Sequence, residues 1–461
     1  MPTQQKKIQH LYLRAGFGEL PNVIKQKQSQ SLQQLVDEIL QDAEKTEDLD
    51  LIPYPLEGKE EAGNLRILRM IIKSREEIQK LNFHWLYRMT VTKAPLREKM
   101  TLFWHNHFAT SVPFAYLTQQ QNNMLRKHAL GKFSDMLHAV AKDPAMMIYL
   151  NNQQNTKEAP NENFAREVME LFTMGIGNYS EQDIKEGARA FTGWRINRKG
   201  EFEVNAKLHD DGEKNFLGRK GNFNGDDIIN ILLEQKETAR YITTKIYREF
   251  VNEKINEKRV GELADIFFNS GYDIKKLMRA IFSSEWFYDE ENIGMKIISP
   301  SELIVRYARL LKMEFEKEEA LLGVQKVLGQ TLFFPPNVAG WKGGNTWIDS
   351  ASLMVRLNMA HVILNGSSEE FRPKPEFEDA PIYKAAKDRQ IKVKSDWTAL
   401  VNWFSGADDE DLLKEITDSL IQCNIKQVDL DVISRTDNSS REKYVSGLIA
   451  NVMSLPEFQL I

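Results

Sequence analysis

The feature that most constrains the fold is a charged segment at residues 160–175, PNENFAREVMELFTMG. Proline and glycine stand at its two ends, and these residues commonly open and close an α-helix. Between them, apolar residues recur at helical spacing on one face, whereas glutamate and arginine occupy the other. The segment therefore predicts an amphipathic helix with one side for a core and one side for chemistry.

The rest of the chain mostly repeats this helical pattern across its 461 residues. Alternation typical of strands is confined to 195–204, where apolar residues flank Lys199 and Gly200. Glycine, proline and asparagine are concentrated at 205–225 and 333–347, which predicts irregular loops there. We therefore predict an all-α fold, a large multi-helix globular body with one small β-hairpin insertion.

Composition also suggests how the chain is divided. Residues 1–365 carry most of the helical pattern and are predicted to form the main helical domain. Residues 366–392 are polar and proline-rich, which predicts a linker or surface excursion. Helical periodicity returns at 393–461, and we expect these C-terminal helices to pack on the main body.

Charge and cysteine content exclude several classes of protein. A net charge of -5 gives no argument for a nucleic-acid partner. The single cysteine, Cys423, cannot build a disulfide framework or a cysteine-rich zinc site. No apolar run approaches the roughly 18 residues of a membrane span. The N-terminal residues do not resemble a secretory signal, so a cytoplasmic protein is the default expectation, with an exported or envelope protein as the alternative.

Two carboxylates in the charged segment are the main candidates for chemistry. Glu167 and Glu170 are three residues apart, so they share one face of a helix. One explanation is structural, because Arg166 lies four residues from both Glu162 and Glu170 and can form ion pairs worth about 0.3–0.5 kcal/mol each. The other explanation is that Glu167 and Glu170 act with a histidine in acid–base catalysis or bind a divalent metal.

A histidine from outside the segment would be needed for such a site. His105 and His107 are two residues apart, so on a regular helix they point in nearly opposite directions and cannot bind one ion together. His107 continues the inward stripe of Met100 and Phe103, and we prefer it to His105 as the functional histidine. The alternative is a core histidine that donates to a carbonyl. The candidate catalytic residues are Glu167, Glu170 and His107.

Loop residues extend the candidate site. His209 and Asp210 lie in a loop rich in glycine and aspartate, where they could complete a metal site or form a solvated turn. Trp194 and Trp341 stand in glycine-rich turns, where they could stack on sugar rings or fill the irregular segments against the body. The candidate metal ligands are His107, Glu167, Glu170, His209 and Asp210. The candidate binding residues are Trp104, Arg166, Trp194, Asn337 and Trp341.

Several motifs together resemble the bacterial DUF 1800 family, a domain of unknown function. They are EKMTLFWHNHF at 98–108, the segment 160–175, AFTGW at 190–194, PPNVAGW at 335–341, RAGFG at 14–18 and His209-Asp210. The resemblance covers roughly residues 8–458. It implies no activity, but it does imply a sulfatase-like protein encoded nearby as a candidate partner, and an envelope or polysaccharide-related pathway.

Two hypotheses for function follow. The first is a metal-assisted hydrolase with a Glu/His pocket, for which a divalent metal is the candidate cofactor. The second is a non-catalytic binding or assembly protein, polysaccharide-related, in which the glycine- and tryptophan-containing loops form a ligand platform. The position of Glu167 and Glu170 discriminates between them, because a catalytic pair needs solvent access and a nearby histidine, whereas a structural pair is saturated by Arg166.

Overall fold

The computed structural model of the protein describes residues 2–54, 64–197, 199–315, 318–365, 393–424, 433, 436 and 439–461. At residues 64–72, 315, 318 and 319 it describes the backbone alone. The linker predicted at 366–392 therefore lies outside the described residues.

The N-terminal part of the described chain is helical almost throughout. Its helices are α1 Gln4–Arg14, α2 Pro21–Lys27, α3 Leu32–Asp42, α4 Asn64–Val91, α5 Pro95–His107, α6 Ala115–His128, α7 Phe133–Ala141, α8 Pro144–Tyr149, α9 Glu162–Glu167 and α10 Glu181–Ala190.

Helices also dominate the C-terminal part. They are α11 Gly225–Leu233, α12 Lys236–Phe250, α13 Glu257–Asn269, α14 Ile274–Phe282, α15 Pro300–Leu311, α16 Glu318–Leu328, α17 Ser350–Asn365, α18 Thr398–Phe404, α19 Asp409–Leu420 and α20 Arg441–Met453. The predicted all-α fold is confirmed. Ser31, Ser180 and Ser299 each form a capping box at the start of a helix, which explains where α3, α10 and α15 begin.

Six short strands form three two-stranded antiparallel sheets in the described residues. The strands are β1 Trp194–Ile196, β2 Phe202–Val204, β3 Lys214–Phe216, β4 Arg219–Gly221, β5 Glu314–Phe315 and β6 Val393–Lys394, paired in that order. The hairpin predicted at 195–204 is confirmed by β1 and β2.

The second hairpin, β3–β4, corrects the prediction that 205–225 is wholly irregular. Leu217 and Gly218 form its two-residue turn, and both have positive φ, 48° and 77°. That backbone conformation matches the twist of the flanking strands. The sequence signal was weak because leucine rather than asparagine or aspartate precedes the glycine, and Phe216 is the only large apolar residue of the two strands.

Two clusters make up the hydrophobic interior of the part of the chain that the structure describes. The first is formed mainly by α3 and α5 to α14 with part of α1, and the second mainly by α4 and α15 to α20. Helix α5 contributes to both, because Met100 and Trp104 lie in the first cluster whereas Leu102 lies in the second. The residues of α5 are therefore buried on nearly every side.

The C-terminal helices share the second cluster with α15. Arg306 on α15 donates to the carbonyl oxygens of Phe458 and Leu420 at 2.8 and 2.7 Å. Lys296 and Ile461 exchange backbone hydrogen bonds of 3.1 and 2.9 Å. The division at 365 and 393 stays a prediction, but the described C-terminal residues pack within a core that earlier helices also build.

The charged segment at 160–175 is not one regular helix. Helix α9 is capped by Asn161 and continues as a π-helical segment, Val168–Thr173. The Thr173 hydroxyl donates to the Val168 carbonyl at 2.6 Å, and the N–H of Met174 donates to Met169, both five residues back. The backbone bond of Met174 is the i→i+5 bond of a π-helix and widens the turn, and the Thr173 hydroxyl adds a side-chain bond across it. The predicted stop at Gly175 is correct, since this residue adopts a φ of 78°.

Candidate functional site

Glu170 is fixed by neighbours on the charged face. Its carboxylate lies 3.5 Å from Arg166 Nη1 and accepts a hydrogen bond from the Tyr179 hydroxyl. Arg166 also pairs with Glu162 at 3.4 Å and with Glu181 at 2.9 Å. The intrahelical pairs expected from the sequence are therefore present, and Glu181 on α10 extends them.

Glu167 is held differently. Its side chain is half-buried, and within the described residues no hydrogen bond or ion pair reaches its carboxylate. Burial raises the pKa of Glu167, the negative charge of Glu170 raises it further, and the charge of Arg166 partly opposes both. The charge of Glu167 in turn contributes to the raised pKa of the Tyr149 hydroxyl. Glu170 thus matches the structural alternative, since Arg166 binds it, and the contacts of the described residues bring no histidine to either carboxylate; Glu167 is the carboxylate of the two that has no hydrogen-bond or ion-pair partner there.

His107 is buried, as predicted. It contacts a backbone carbonyl of the π-helical segment, however, and not the carboxylates of Glu167 and Glu170. Its Nε2 lies 3.3 Å from the carbonyl oxygen of Phe172. Its Nδ1 lies 3.1 Å from Nζ of Lys245 on α12. Both ring nitrogens are thus engaged, and His107 has no lone pair free for a metal. The pKa of His107 is held well below its usual value by burial and by the charge of Lys245.

His209 and Asp210 belong to a third group of residues, beside the end of α10. Asp210 accepts from Arg189 Nε and Nη2 at 2.7 and 3.2 Å, and this pairing lowers the pKa of Asp210. His209 Nδ1 lies 2.8 Å from the carbonyl oxygen of Thr192. The Thr192 hydroxyl accepts from the N–H of Asp210 at 2.8 Å. These contacts attach the loop to α10.

The five candidate metal ligands are therefore distributed over three local groups. Within the described ranges there is no group of three or more His, Cys, Asp or Glu side chains arranged to hold a metal ion. Glu167 and Glu170 come together as predicted, whereas His107 and the His209–Asp210 pair do not join them. The local donor set is two carboxylates, one of which is already bound by Arg166.

The candidate binding tryptophans are interior residues. Trp104 is fully buried and donates from Nε1 to the Ala129 carbonyl at 3.0 Å. Trp194 is only 3% exposed and packs edge to face against Phe191 and Phe202. Rings buried to this degree offer no free face, which favours the alternative that they fill the irregular segments.

The loop that contains Trp341 is held by a residue that the sequence did not single out. Asn106 accepts from the Trp341 N–H at 2.7 Å and donates to its carbonyl at 3.3 Å. Gly340 adopts a φ of 75° and passes so close to Asn106 that a Cβ atom would overlap its amide. Asn337 is exposed and caps the local turn by accepting from the Ala339 N–H. Of the two candidate binding residues in this loop, Asn337 is therefore exposed, whereas Trp341 is only 7% exposed.

A cleft opens beside the first hairpin, where Phe202, the ring on which Trp194 packs, forms part of its lining. It has a volume of about 460 Å³ and combines three aromatic rings with polar side chains. The Tyr54 and Tyr116 rings meet edge to face with centroids 5.2 Å apart. The lining residues are Tyr54, Tyr116, Leu117, Gln120, Pro144, Lys199, Gly200, Glu201 and Phe202.

Two residues of the candidate site escaped sequence reasoning. Lys245 and Tyr179 carry no motif, and Lys245 lies 138 residues from the histidine that it contacts. The one available signal was the position of Lys245 between Ile242 and Ile246, both fully buried. A lysine so close to an inward face needs a partner or a neutral state.

Comparisons with known proteins give a family and no activity. The family model described as "Protein of unknown function (DUF1800)" matches residues 10–460. Neither the curated proteins nor the solved structures contained a match.

Proposed function

The chain belongs to the DUF1800 family, and we propose from the geometry of its charged face that it is a hydrolase in which Glu167 is the acid–base group. The observation that carries the proposal is the contrast between two adjacent carboxylates. Glu170 is fixed by Arg166 and Tyr179, whereas Glu167 is half-buried, unpaired within the described residues and raised in pKa.

Because of this contrast, Glu167 and Glu170 can have different roles in the reaction. A carboxyl group with a raised pKa retains its proton closer to neutral pH, so it can protonate a leaving group and later accept a proton from water. Glu170, held as the partner of Arg166, would supply a fixed negative charge beside the reacting atoms. The π-helical segment supports the proposal, because π-turns within helices are frequent at functional sites.

The metal-assisted version of the hypothesis is less well supported by the donor set. Structural and catalytic zinc sites use three or four protein ligands, whereas this face offers two carboxylates and one of them is ion-paired. Ions that retain most of their water need fewer protein ligands, so elemental analysis of the purified protein is part of the test.

The test is a hydrolysis assay with chromogenic esters, glycosides and phosphate esters, combined with the Glu167→Gln variant. We expect kcat to fall by about 10²–10⁴-fold, the usual contribution of a general acid–base group. The limb of the pH–rate profile that belongs to Glu167 should disappear. Glu162→Gln is the matched control, because Glu162 is on the same helix and also lies near Arg166 but is not part of the proposed pair.

Two results would contradict this function. Equal hydrolysis rates in the wild type and the Glu167→Gln variant would remove Glu167 from the reaction. A stoichiometric metal that is lost from the variant would replace the acid–base role of Glu167 with a ligand role. Unchanged thermal unfolding of the variant shows that the comparison concerns chemistry and not folding.

A second candidate function, binding without catalysis, is favoured by the cleft beside the first hairpin. Aromatic rings with nearby amide, lysine and glutamate groups suit a sugar or another ligand with one apolar face. Tyr116→Ala should weaken the binding of an oligosaccharide, measured by calorimetry, whereas Tyr87→Ala, at an exposed tyrosine outside the lining of the cleft, should not. Unchanged affinity in Tyr116→Ala would contradict a binding role for the cleft.

The partner and location expected from the family belong to this second candidate. A sulfatase-like protein would be the partner of an exported or envelope-associated binding protein, and co-purification from the native host tests this. No helix among the described residues has the length and apolar character needed to span a membrane.

A further inference from the structure

Lys245 occupies an unusual environment for a lysine. Its side chain is half-buried on α12, its ammonium group lies over the Tyr241 ring with Nζ 5.1 Å from the centroid, and its hydrogen-bond partner is His107. Within the described residues, no carboxylate lies within ion-pair distance of Nζ. The amine is therefore stabilised by an imidazole and an aromatic ring, neither of which carries a compensating negative charge.

The contacts of His107 fix its protonation state. The Phe172 carbonyl can only accept, so Nε2 of His107 must carry the hydrogen in the 3.3 Å bond between them. Nδ1 then holds a lone pair and accepts an N–H from Lys245 at 3.1 Å. His107 is a neutral acceptor, held in one tautomer by a backbone carbonyl of the π-helical segment. Lys245 keeps the same hydrogen bond whether or not it is charged.

The charged and titratable groups around Lys245 favour its neutral form. Arg248 and Tyr241 face it from its own helix, and His107 faces it from α5. Burial lowers the pKa of Lys245 to about 8, and the positive charge of Arg248 contributes to this shift. Near neutral pH, the fraction of free amine is then on the order of a hundredfold larger than in an ordinary lysine.

We propose that Lys245 is a nucleophilic amine that forms an imine with a small aldehyde or ketone, an anionic one being favoured by the neighbouring Arg248. Such lysines are characteristically desolvated, placed next to another cation and free of a carboxylate partner. His107 is a positioning residue, because its lone pair binds one N–H of the amine and leaves the amine lone pair directed away from the ring. This proposal does not rest on the role proposed for Glu167.

The reaction balances without a further reagent. The neutral amine of Lys245 attacks the carbonyl carbon, a C–N bond forms, and the C–O π electrons move to oxygen. Transfer of a proton from nitrogen to oxygen gives a carbinolamine. Protonation of its hydroxyl group and loss of water then give the protonated imine. Overall, one ammonium group and one carbonyl compound yield one iminium group and one water.

The test is reductive trapping of the full-length protein with glyoxylate and cyanoborohydride, followed by peptide mass spectrometry. Lys245 should be modified at least about tenfold faster than Lys142, with a pH midpoint near 8. Lys142 is a suitable internal control because its side chain is also partly buried, with 33% exposed, but it is paired with Asp226 at 2.7 Å. Modification of Lys245 at the same rate as Lys142 would overturn the proposal.

Variants separate reactivity from folding. Lys245→Arg keeps the donor to His107 and should abolish the fast modification without a loss of thermal stability. His107→Leu removes the acceptor and should slow the modification of Lys245, whereas His107→Gln retains an acceptor and should restore it. Fast modification that persists at another lysine in Lys245→Arg, or equal rates in the two His107 variants, would contradict the assigned roles.

Discussion

His105 and His107 are two residues apart, yet their imidazoles pack against different hydrophobic clusters. His107 contacts Phe172 and Lys245, whereas His105 packs edge to face on Trp85 and accepts from the Phe333 N–H at 3.1 Å. Two residues of an α-helix correspond to a rotation of about 200° about the helix axis, so the two side chains point to different sides of α5. The same rotation argued against a shared metal ion. The pKa of each imidazole is lowered by burial, to about 3 for His105.

Acidification should weaken the fold through His105. Its folded-state pKa of about 3 is below the value of about 6.5 in an unfolded chain. Between these values the unfolded state binds a proton that the folded state does not. The contribution of His105 is therefore complete above about pH 6.5 and is lost as the pH falls, by about 1.4 kcal/mol per pH unit. Urea unfolding at about pH 7.5 and about pH 5 measures this loss.

His105→Gln is the matched variant for this measurement. Glutamine can still accept the Phe333 N–H but does not titrate, so the variant should show a smaller decrease in stability on acidification. The pKa values of His10 and His107 are also lowered by burial, so part of the decrease should remain in both proteins. Equal decreases would show that His105 is not responsible.

At the residue scale, the sequence predicts the contacts that helical spacing determines. It does not predict the contacts that depend on how one helix packs against another. The inward direction of His107 and the pairing of Arg166 with Glu162 and Glu170 follow from helical geometry alone. The Lys245 contact does not, because it depends on how α12 packs against α5. Periodicity shows which face of a helix is buried, but not which helix covers it.

At the scale of single elements, the end of the charged segment is positioned by one glycine. Gly175 adopts a φ of 78°, and a Cβ atom there would lie 2.8 Å from the Tyr241 ring. Tyr241 is also the ring beneath the Lys245 amine. The stop signal was predictable from the sequence, but the close contact with α12 was not. The π-helical turn was not predictable either, since its i→i+5 bonds leave no distinct hydrophobic period.

Gly175→Ala should destabilise the protein more than Gly177→Ala. Both glycines have positive φ, so both alanines carry a backbone cost of about 1–2 kcal/mol. A Cβ at Gly177 meets nothing within 4 Å, whereas one at Gly175 displaces Tyr241. We expect an additional loss of about 1–3 kcal/mol for Gly175→Ala, typical of overpacking, measured by urea unfolding. Equal losses would show that the contact with Tyr241 is unimportant.

At the scale of the whole molecule, a buried ion pair connects elements of both clusters. Lys99 on α5 pairs with Glu302 on α15, with side chains 2% and 1% exposed. Lys99 also donates to the carbonyl oxygens of Leu13, in the last turn of α1, and of Gly16, two residues beyond the end of that helix. Its positive charge holds the pKa of Glu302 well below the usual range, although burial alone would raise it. Local sequence patterns could not predict this ion pair, because Lys99 and Glu302 are 203 positions apart in the chain.

Breaking this pair from one side should be more costly than removing both charges. Lys99→Met leaves the Glu302 carboxylate buried without its partner, and we expect a loss of about 3–5 kcal/mol. Addition of Glu302→Gln, which preserves the capping role at α15, should recover part of that loss. Urea unfolding of the two single variants and the double variant measures the coupling. Additive losses would show that the pair does not couple the elements.

The π-helical turn has a mechanical consequence for both proposed centres. Glu167 lies just before it, and the Phe172 carbonyl that orients His107 lies near its end. One residue of an α-helix corresponds to a rotation of about 100°, so a tightening of this wide turn by one residue would rotate everything that follows by that amount. Such a change would withdraw the carbonyl from the imidazole and alter the direction of the Lys245 lone pair. The geometry of the proposed acid, Glu167, and of the proposed amine, Lys245, thus depends on the same turn. A ligand that tightened this turn at one centre would therefore change the geometry of the other.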